Sequence, residues 1–224
     1  MRRGLVLQND DLDPPALLAD WLDERGIPFE ATKVWEDGLP RDPSDYAWIA
    51  ALGSRHSVTY DEPGWIATEV DFLRRSVSGE VPVLGICFGG QALAAALGGE
   101  VSSTDPSAVG WIETRTSEPE LVSVGPWLHL NSDQFAVPKG ATLVASVDNG
   151  PSAFRLGPHL GLQFHPEATP QLADRWADHF AAWIGRLGSS PERIREEARV
   201  HASEAPRRAF TLFDAWWARA TGPA

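Results

Sequence analysis

Hydrophobic positions change period several times along the first hundred residues. Residues 3–8 (RGLVLQ) form a short apolar run of strand length. Residues 14–25 follow with Leu17, Leu18, Trp21 and Leu22 at helical spacing. Pro14 and Pro15 suit the start of that helix and Gly26 its end. Residues 27–34 predict a second strand, 40–44 a loop, and 47–52 (AWIAAL) a third strand closing at Gly53. Helical spacing returns over 65–77, residues 81–86 (VPVLGI) predict a fourth strand, and a helix follows over about 88–97. Strands that are apolar throughout, rather than alternating, are buried on both faces. Interleaved with helices, they predict an α/β protein with an open, mostly parallel sheet and helices on both faces.

Beyond residue 100 the pattern is less regular. Residues 109–115, 121–124 and 127–130 predict shorter strands and turns, and 141–146 with 153–156 a hairpin or meander. Residues 160–165 (LGLQFH) predict a short strand ending in His165. Helix resumes over 170–187, breaks at 188–191 (GSSP), and gives way to a charged helix over 191–204. An amphipathic helix with Phe210, Phe213, Trp216 and Trp217 closes the chain. The expected organisation is one domain over 1–187 and a C-terminal helical extension over 188–224 that packs on it. No internal repeat or low-complexity segment interrupts this plan.

Size and charge narrow the classes of function. At 224 residues the chain can bury one substantial core. The net charge of −12 argues against a nucleic-acid partner, whose phosphates require clustered Lys and Arg. No apolar run reaches the ~20 residues of a membrane span. The start, MRRGLVLQ, is too short in its apolar part for a signal peptide. A single cysteine cannot form an internal disulfide, so a cytoplasmic protein is expected. The ten Trp residues read as packing or interface material.

That single cysteine, Cys87, stands in VLGICFGGQ, between an apolar strand and a predicted helix. Gly85-Ile86-Cys87-Phe88-Gly89 has the Gly-x-nucleophile-x-Gly form of a strained strand-to-helix turn. In open α/β sheets, ligands bind beyond the carboxyl ends of the strands, where such a turn sits. The helix N-terminus facing the sulfur favours thiolate, the nucleophilic form. A thiolate nucleophile needs a base held by a third group. Of six histidines, His179 falls in a predicted helix, His201 in the tail, and His159 beside Pro158 in a predicted turn. His165 ends a predicted strand and precedes Pro166 and Glu167, so a stiffened turn can hold Glu167 against the imidazole. Metal-ligand spacing and cofactor motifs are not found, so neither a metal nor a cofactor is expected.

VPVLGICFGGQALAAALGGEV together with GLQFHPE resembles the class I, triad-type glutamine amidotransferases, in particular free-standing members similar to the GMP synthase glutaminase domain. The resemblance extends over about residues 3–187 and implies a flavodoxin-like sheet. It implies Cys87 as nucleophile, His165 as proton relay and Glu167 as its orienting group. The oxyanion of the tetrahedral intermediate would take one N–H from Phe88. The second would come from the loop after the third strand, where the family's Gly-Gly-Pro is Gly53-Ser54-Arg55, leaving Gly53 or Ser54 as donor. Glutamine recognition would fall to Gln91 and to the stretch Asn131-Ser132-Asp133, where Asn131 replaces the family's His and Asp133 would pair with the substrate α-ammonium. The implied substrate is glutamine or another γ-glutamyl amide, and the implied partner a separate ammonia-accepting synthase subunit. A γ-glutamyl peptide or conjugate hydrolase and a non-catalytic regulatory module of the same fold are the alternatives.

Overall fold

The computed structural model describes residues 2–60 and 62–222. In chain order its elements are β1 (Gly4–Gln8), α1 (Ala16–Glu24), β2 (Phe29–Lys33), α2 (Val34–Asp37), β3 (Ile49–Ala51), α3 (Trp65–Ser78), β4 (Val83–Ile86), α4 (Phe88–Ala96), β5 (Val101–Thr116), β6 (Gly125–Phe135), β7 (Thr142–Val147), β8 (Gly150–Leu156), β9 (His159–Leu162), α5 (Pro170–His179), α6 (Ala181–Arg186), α7 (Pro191–His201) and α8 (Ala205–Thr221). The sheet order is β2-β1-β3-β4-β9-β8-β7-β5-β6. From β2 to β9 neighbouring strands run parallel, and from β9 to β6 they run antiparallel.

The apolar runs of β1, β3 and β4 are divided between two cores by the two-residue period of a strand. Val6, Ala50, Leu84 and Ile86 face one core with Leu18 and Trp21 of α1 and Phe213 and Trp216 of α8. Leu5, Leu7, Ile49 and Val83 face the other with Phe72 and Leu73 of α3 and Leu93 of α4. Each fully buried large side chain contributes roughly 1.5–3 kcal/mol. This is the expected open α/β sheet with helices on both faces. No helix among the described residues is long and apolar enough to cross a membrane.

Tryptophans seal the first core. Trp21 packs on Phe213 and Trp217, and Trp48 on Trp216 and Trp217, with ring centroids 5.6 to 6.1 Å apart. The indole N–H groups are satisfied: Trp21 Nε1 donates to Asp214 Oδ1 at 2.9 Å and Trp216 Nε1 to the Pro158 carbonyl at 3.1 Å. Helix α8 therefore packs into the same core as β3 and β4.

Several elements differ from their sequence reading. Lys33 ends β2, and Val34 opens the short α2. Residues 109–115 and 127–130 belong to two long strands, β5 and β6, paired as a hairpin with a bulge between Ser103 and Ala108. Residues 121–124 form the turn between them, with Leu121 and Val122 buried from that turn. The helix over 170–187 breaks at Phe180 into α5 and α6. Strand β9 stops at Leu162, so His165 follows a bend and does not end the strand. The strand is paired on both sides, with β4 and β8, and both ladders end at Leu162.

Candidate active site

The site is assembled at the carboxyl ends of β1, β3, β4 and β9. Between β4 and α4, Cys87 takes φ 52° and ψ −109°, a conformation disfavoured for a residue with a Cβ. The backbone around it is packed too closely for side chains. A Cβ on Gly85 would lie 2.4 Å from the Gly89 carbonyl oxygen, and one on Gly89 would lie 2.0 Å from that of Ala51. The turn is pinned on both sides, with the Cys87 N–H donating to Leu162 O at 2.8 Å and the Gly89 N–H to Leu52 O at 3.1 Å. Phe88 is the first residue of α4, so its N–H has no partner within the helix. Cys87 lines a cavity of ≈ 210 Å³ together with Ser54, Gln91, Asn131, Ser132 and Asp133.

His165 and Glu167 are buried beside it, 4% and 1% exposed. His165 Nδ1 donates to Glu167 Oε1 at 2.7 Å, which leaves Nε2 to serve Cys87, whose charge acts on the ring. The main chain holds both residues: the His165 N–H donates to Leu128 O at 2.8 Å and the Leu17 N–H to Glu167 O at 3.1 Å. Trp176 packs on the imidazole with centroids 4.6 Å apart. Burial alone would push the imidazole down, but the negative charges of Glu167 and Cys87 outweigh it and hold it well above 6.5. An imidazolium facing a thiolate is the arrangement that Cys–His nucleophiles use.

The opposite wall is the loop after β3. Ser54 Oγ donates to the Asn9 carbonyl at 3.2 Å. Arg55 donates to the buried Asp10 carboxylate from its backbone N–H at 3.2 Å, from Nε at 2.6 Å and from Nη2 at 2.8 Å. Burial would raise the Asp10 carboxyl, but these bonds and the Leu12 N–H hold it below its usual range. Asn9 Nδ2 donates to Leu52 O at 3.1 Å and to Glu69 Oε1 at 3.0 Å, supporting the end of β3 from below.

A family model, glutamine amidotransferase class-I, matches residues 59–180. The chain belongs to the glutamine amidotransferase class-I family. A glutamine-hydrolysing GMP synthase of Marinobacter nauticus is 32% identical over 138 residues, 53% of this chain and 26% of that protein. The chain thus spans about a quarter of the length of the GMP synthases that it matches. A glutamine amidotransferase-like protein of Acanthamoeba polyphaga mimivirus is 23% identical over 80% of this chain and 83% of its own. Among solved structures, a glutamine amidotransferase from Methylobacillus flagellatus superposes with TM-score 0.90 at 24% identity, covering 97% of this chain and 94% of that one. One from Thermotoga maritima superposes with TM-score 0.86 at 22% identity, over 96% and 97% of the two chains. These superpositions establish the fold.

In this class I member the residues expected at the site are brought together, though not all as expected. Asn131, Ser132 and Asp133 lie within β6, not on a loop. Gln91 Nε2 and Asn131 Nδ2 both donate to the Asp133 carbonyl, at 2.9 and 3.0 Å, so these amides fix Asp133 in place. The Asp133 carboxylate accepts from Ser103 Oγ at 3.1 Å and from Ser57 Oγ. Gly53 lies against the His165 ring: a Cβ there would sit 3.1 Å from Cε1.

Sequence reasoning missed Asp10, Asp13, Ser57, Ser103 and Gln163. Gln163 is 1% exposed, and its Nε2 points to Cys87 Sγ at 4.0 Å. It lay inside the GLQFHPE motif without being given a role. Asp10 and Asp13 follow β1, and the rule that sites gather at carboxyl strand ends would have singled them out. Asp13, His165 and Glu167 carry ligand types that can hold a cation, but His165 Nδ1 and Glu167 Oε1 are already committed to each other.

Proposed function

We propose that the chain hydrolyses the side-chain amide of glutamine through a Cys87–His165–Glu167 triad. The observation that carries this reading is the Cys87 elbow opening into the cavity, with a buried imidazole that responds to its charge and is held by Glu167 at 2.7 Å. Cys87 Sγ forms a bond to the amide carbonyl carbon. The charge that develops on the carbonyl oxygen is met by the Phe88 N–H and by that of Gly53 or Ser54. His165 Nε2 gives its proton to the departing nitrogen, the C–N bond breaks, and ammonia leaves a glutamyl thioester. Water then attacks the thioester with His165 as base, releasing glutamate and the free Cys87. Asp133, steadied by Gln91 and Asn131, offers its carboxylate to the substrate α-ammonium, and Ser132 borders the same space. The GMP synthase relatives are named as glutamine-hydrolysing, which supports an ammonia-accepting synthase as the partner.

The test is ammonia release from glutamine by the purified chain. Wild-type protein is expected to turn over, and Cys87→Ser to fall by a factor of about 10³ or more. Equal rates for the two proteins would overturn the reading. A second reading, a γ-glutamyl peptide or conjugate as substrate, is favoured by Leu130, Phe180 and Trp183, which give the cavity an apolar side for a larger leaving amine. A kcat/KM higher for such amides than for glutamine would select it. The intact triad geometry argues against a purely regulatory module.

A further inference from the structure

A third buried acid stands against the imidazole, and the reaction above does not use it. Asp13 lies on the segment joining β1 and α1 and is 6% exposed. One of its carboxylate oxygens, a ring nitrogen of His165 and a carboxylate oxygen of Glu167 lie within 4.8 Å of one another. Asp13 Oδ1 and His165 Cε1 also converge on Gly53, at 2.9 and 3.1 Å from where its Cβ would be. Cε1 lies between the two ring nitrogens, so the Asp13 carboxyl borders the edge of the ring that exchanges protons. Glu167 Oε2 is buried and without a hydrogen-bond partner.

We propose that Asp13 is a positioning residue for His165: once ionised, it stabilises the imidazolium and extends to higher pH the range over which His165 can hand a proton to the leaving amine. Burial pushes the Asp13 carboxyl up to about 7; the charges of His165 and Arg55 pull it down, and those of Glu167 and Asp10 push it up. It is therefore neutral in mildly acidic solution and ionised above neutrality. Ionisation places a third anion beside the imidazolium, after Glu167 and Cys87, and its proton is then held more tightly. The groups facing His165 are Cys87, Glu167, Asp13 and His129. The last is buried and pushed down to about 3, so it stays neutral. Removing the Asp13 charge thus alters one anion of the set.

The inference rests on the Cys87–His165 pair of the proposed reaction, so its test must separate the two. Cys87 is the sole cysteine, and iodoacetamide labelling of the full chain reports it alone. Rates would be measured between about pH 5 and about pH 10 for wild type, Asp13→Asn and Asp13→Ala. A thiolate paired with an imidazolium gives a plateau at neutral pH and a second rise where the imidazolium loses its proton. That upper step is expected about one pH unit lower in both variants than in wild type. A structural defect alone would lower rates without moving the step. An upper step shared by all three proteins would overturn the role of Asp13 and leave the triad standing. A wild type that shows no plateau and reacts only as an ordinary thiol would overturn the ion pair, and this proposal with it.

Discussion

The two walls of the cavity are held in place by different means. The Cys87 wall is fixed by backbone packed on backbone, with glycines where any side chain would collide with β3 or with its own turn. The Gly53–Ser54–Arg55 wall is fixed by side chains: the Asp10–Arg55 pair, the Ser54 hydroxyl on Asn9, and Asn9 itself on Glu69. The first has one conformation open to it. The second hangs on polar ties, one of them to an arginine that is 46% exposed. A nucleophile needs a fixed setting, whereas an oxyanion donor can be brought into place by whatever shifts those ties.

The sharpest break of this comparison is one substitution on each wall. Gly89→Ala would set its Cβ 2.0 Å from a carbonyl oxygen of β3. It is expected to cost more than about 3 kcal/mol in urea unfolding and to abolish turnover. On the other wall, Ser54→Gly removes two hydroxyl bonds, to the Asn9 carbonyl and from the His56 N–H, and is expected to cost about 1 kcal/mol. Comparable losses for the two would remove the distinction.

Arg55→Ala probes the loop wall more severely. Asp10 is 1% exposed in its side chain, and the variant leaves its carboxylate with backbone donors only. Stability is expected to fall by about 1–2 kcal/mol, discounted for the exposure of Arg55. Turnover should fall by about tenfold, with the thiol labelling rate of Cys87 unchanged. Asp10→Asn combined with Arg55→Ala should cost less than the sum of the two, and additivity would show that the pair does not hold the loop.

The last contrast lies beneath that wall and is read against pH. Glu69 is fully buried and its carboxyl is pushed up to about 8, burial outweighing the bond from Asn9. The folded chain therefore keeps a proton that the unfolded chain releases from about 4.5 upward. The sign follows: between pH 4.5 and about 8 the unfolded state binds fewer protons, so wild type loses stability as pH rises. Glu69→Gln removes that slope. Its advantage over wild type should grow by up to about 1.4 kcal/mol per pH unit through this window and level off above it. Parallel stability curves for the two proteins would contradict the buried acid.

The same contrast explains what could be read in the sequence. The elbow is local: five consecutive residues, Gly85 to Gly89, encode the turn, and the unbroken apolar runs of β1, β3 and β4 encode a sheet covered on both faces. The antiparallel half was poorly legible because β5 is long, bulged and rich in Ser and Thr, so no single period marks it. Pro166 marks His165 and Glu167, but the apolar run before them continues three residues past the end of β9. Asp133 was identified by its motif, while its setting in β6 and its two serine partners depend on contacts across the fold. Asp10 and Asp13 act through residues more than forty and a hundred and fifty positions away, respectively, separations that no window along the chain spans.

Acylation of Cys87 is the measurement that bears most directly on the whole account. Full-length protein turning over glutamine would be quenched in acid and the peptide carrying Cys87 examined by mass spectrometry. A glutamyl thioester on Cys87, absent from Cys87→Ala, is the expected result. Ammonia released by Cys87→Ala at the wild-type rate, with no adduct on the wild-type cysteine, would contradict it.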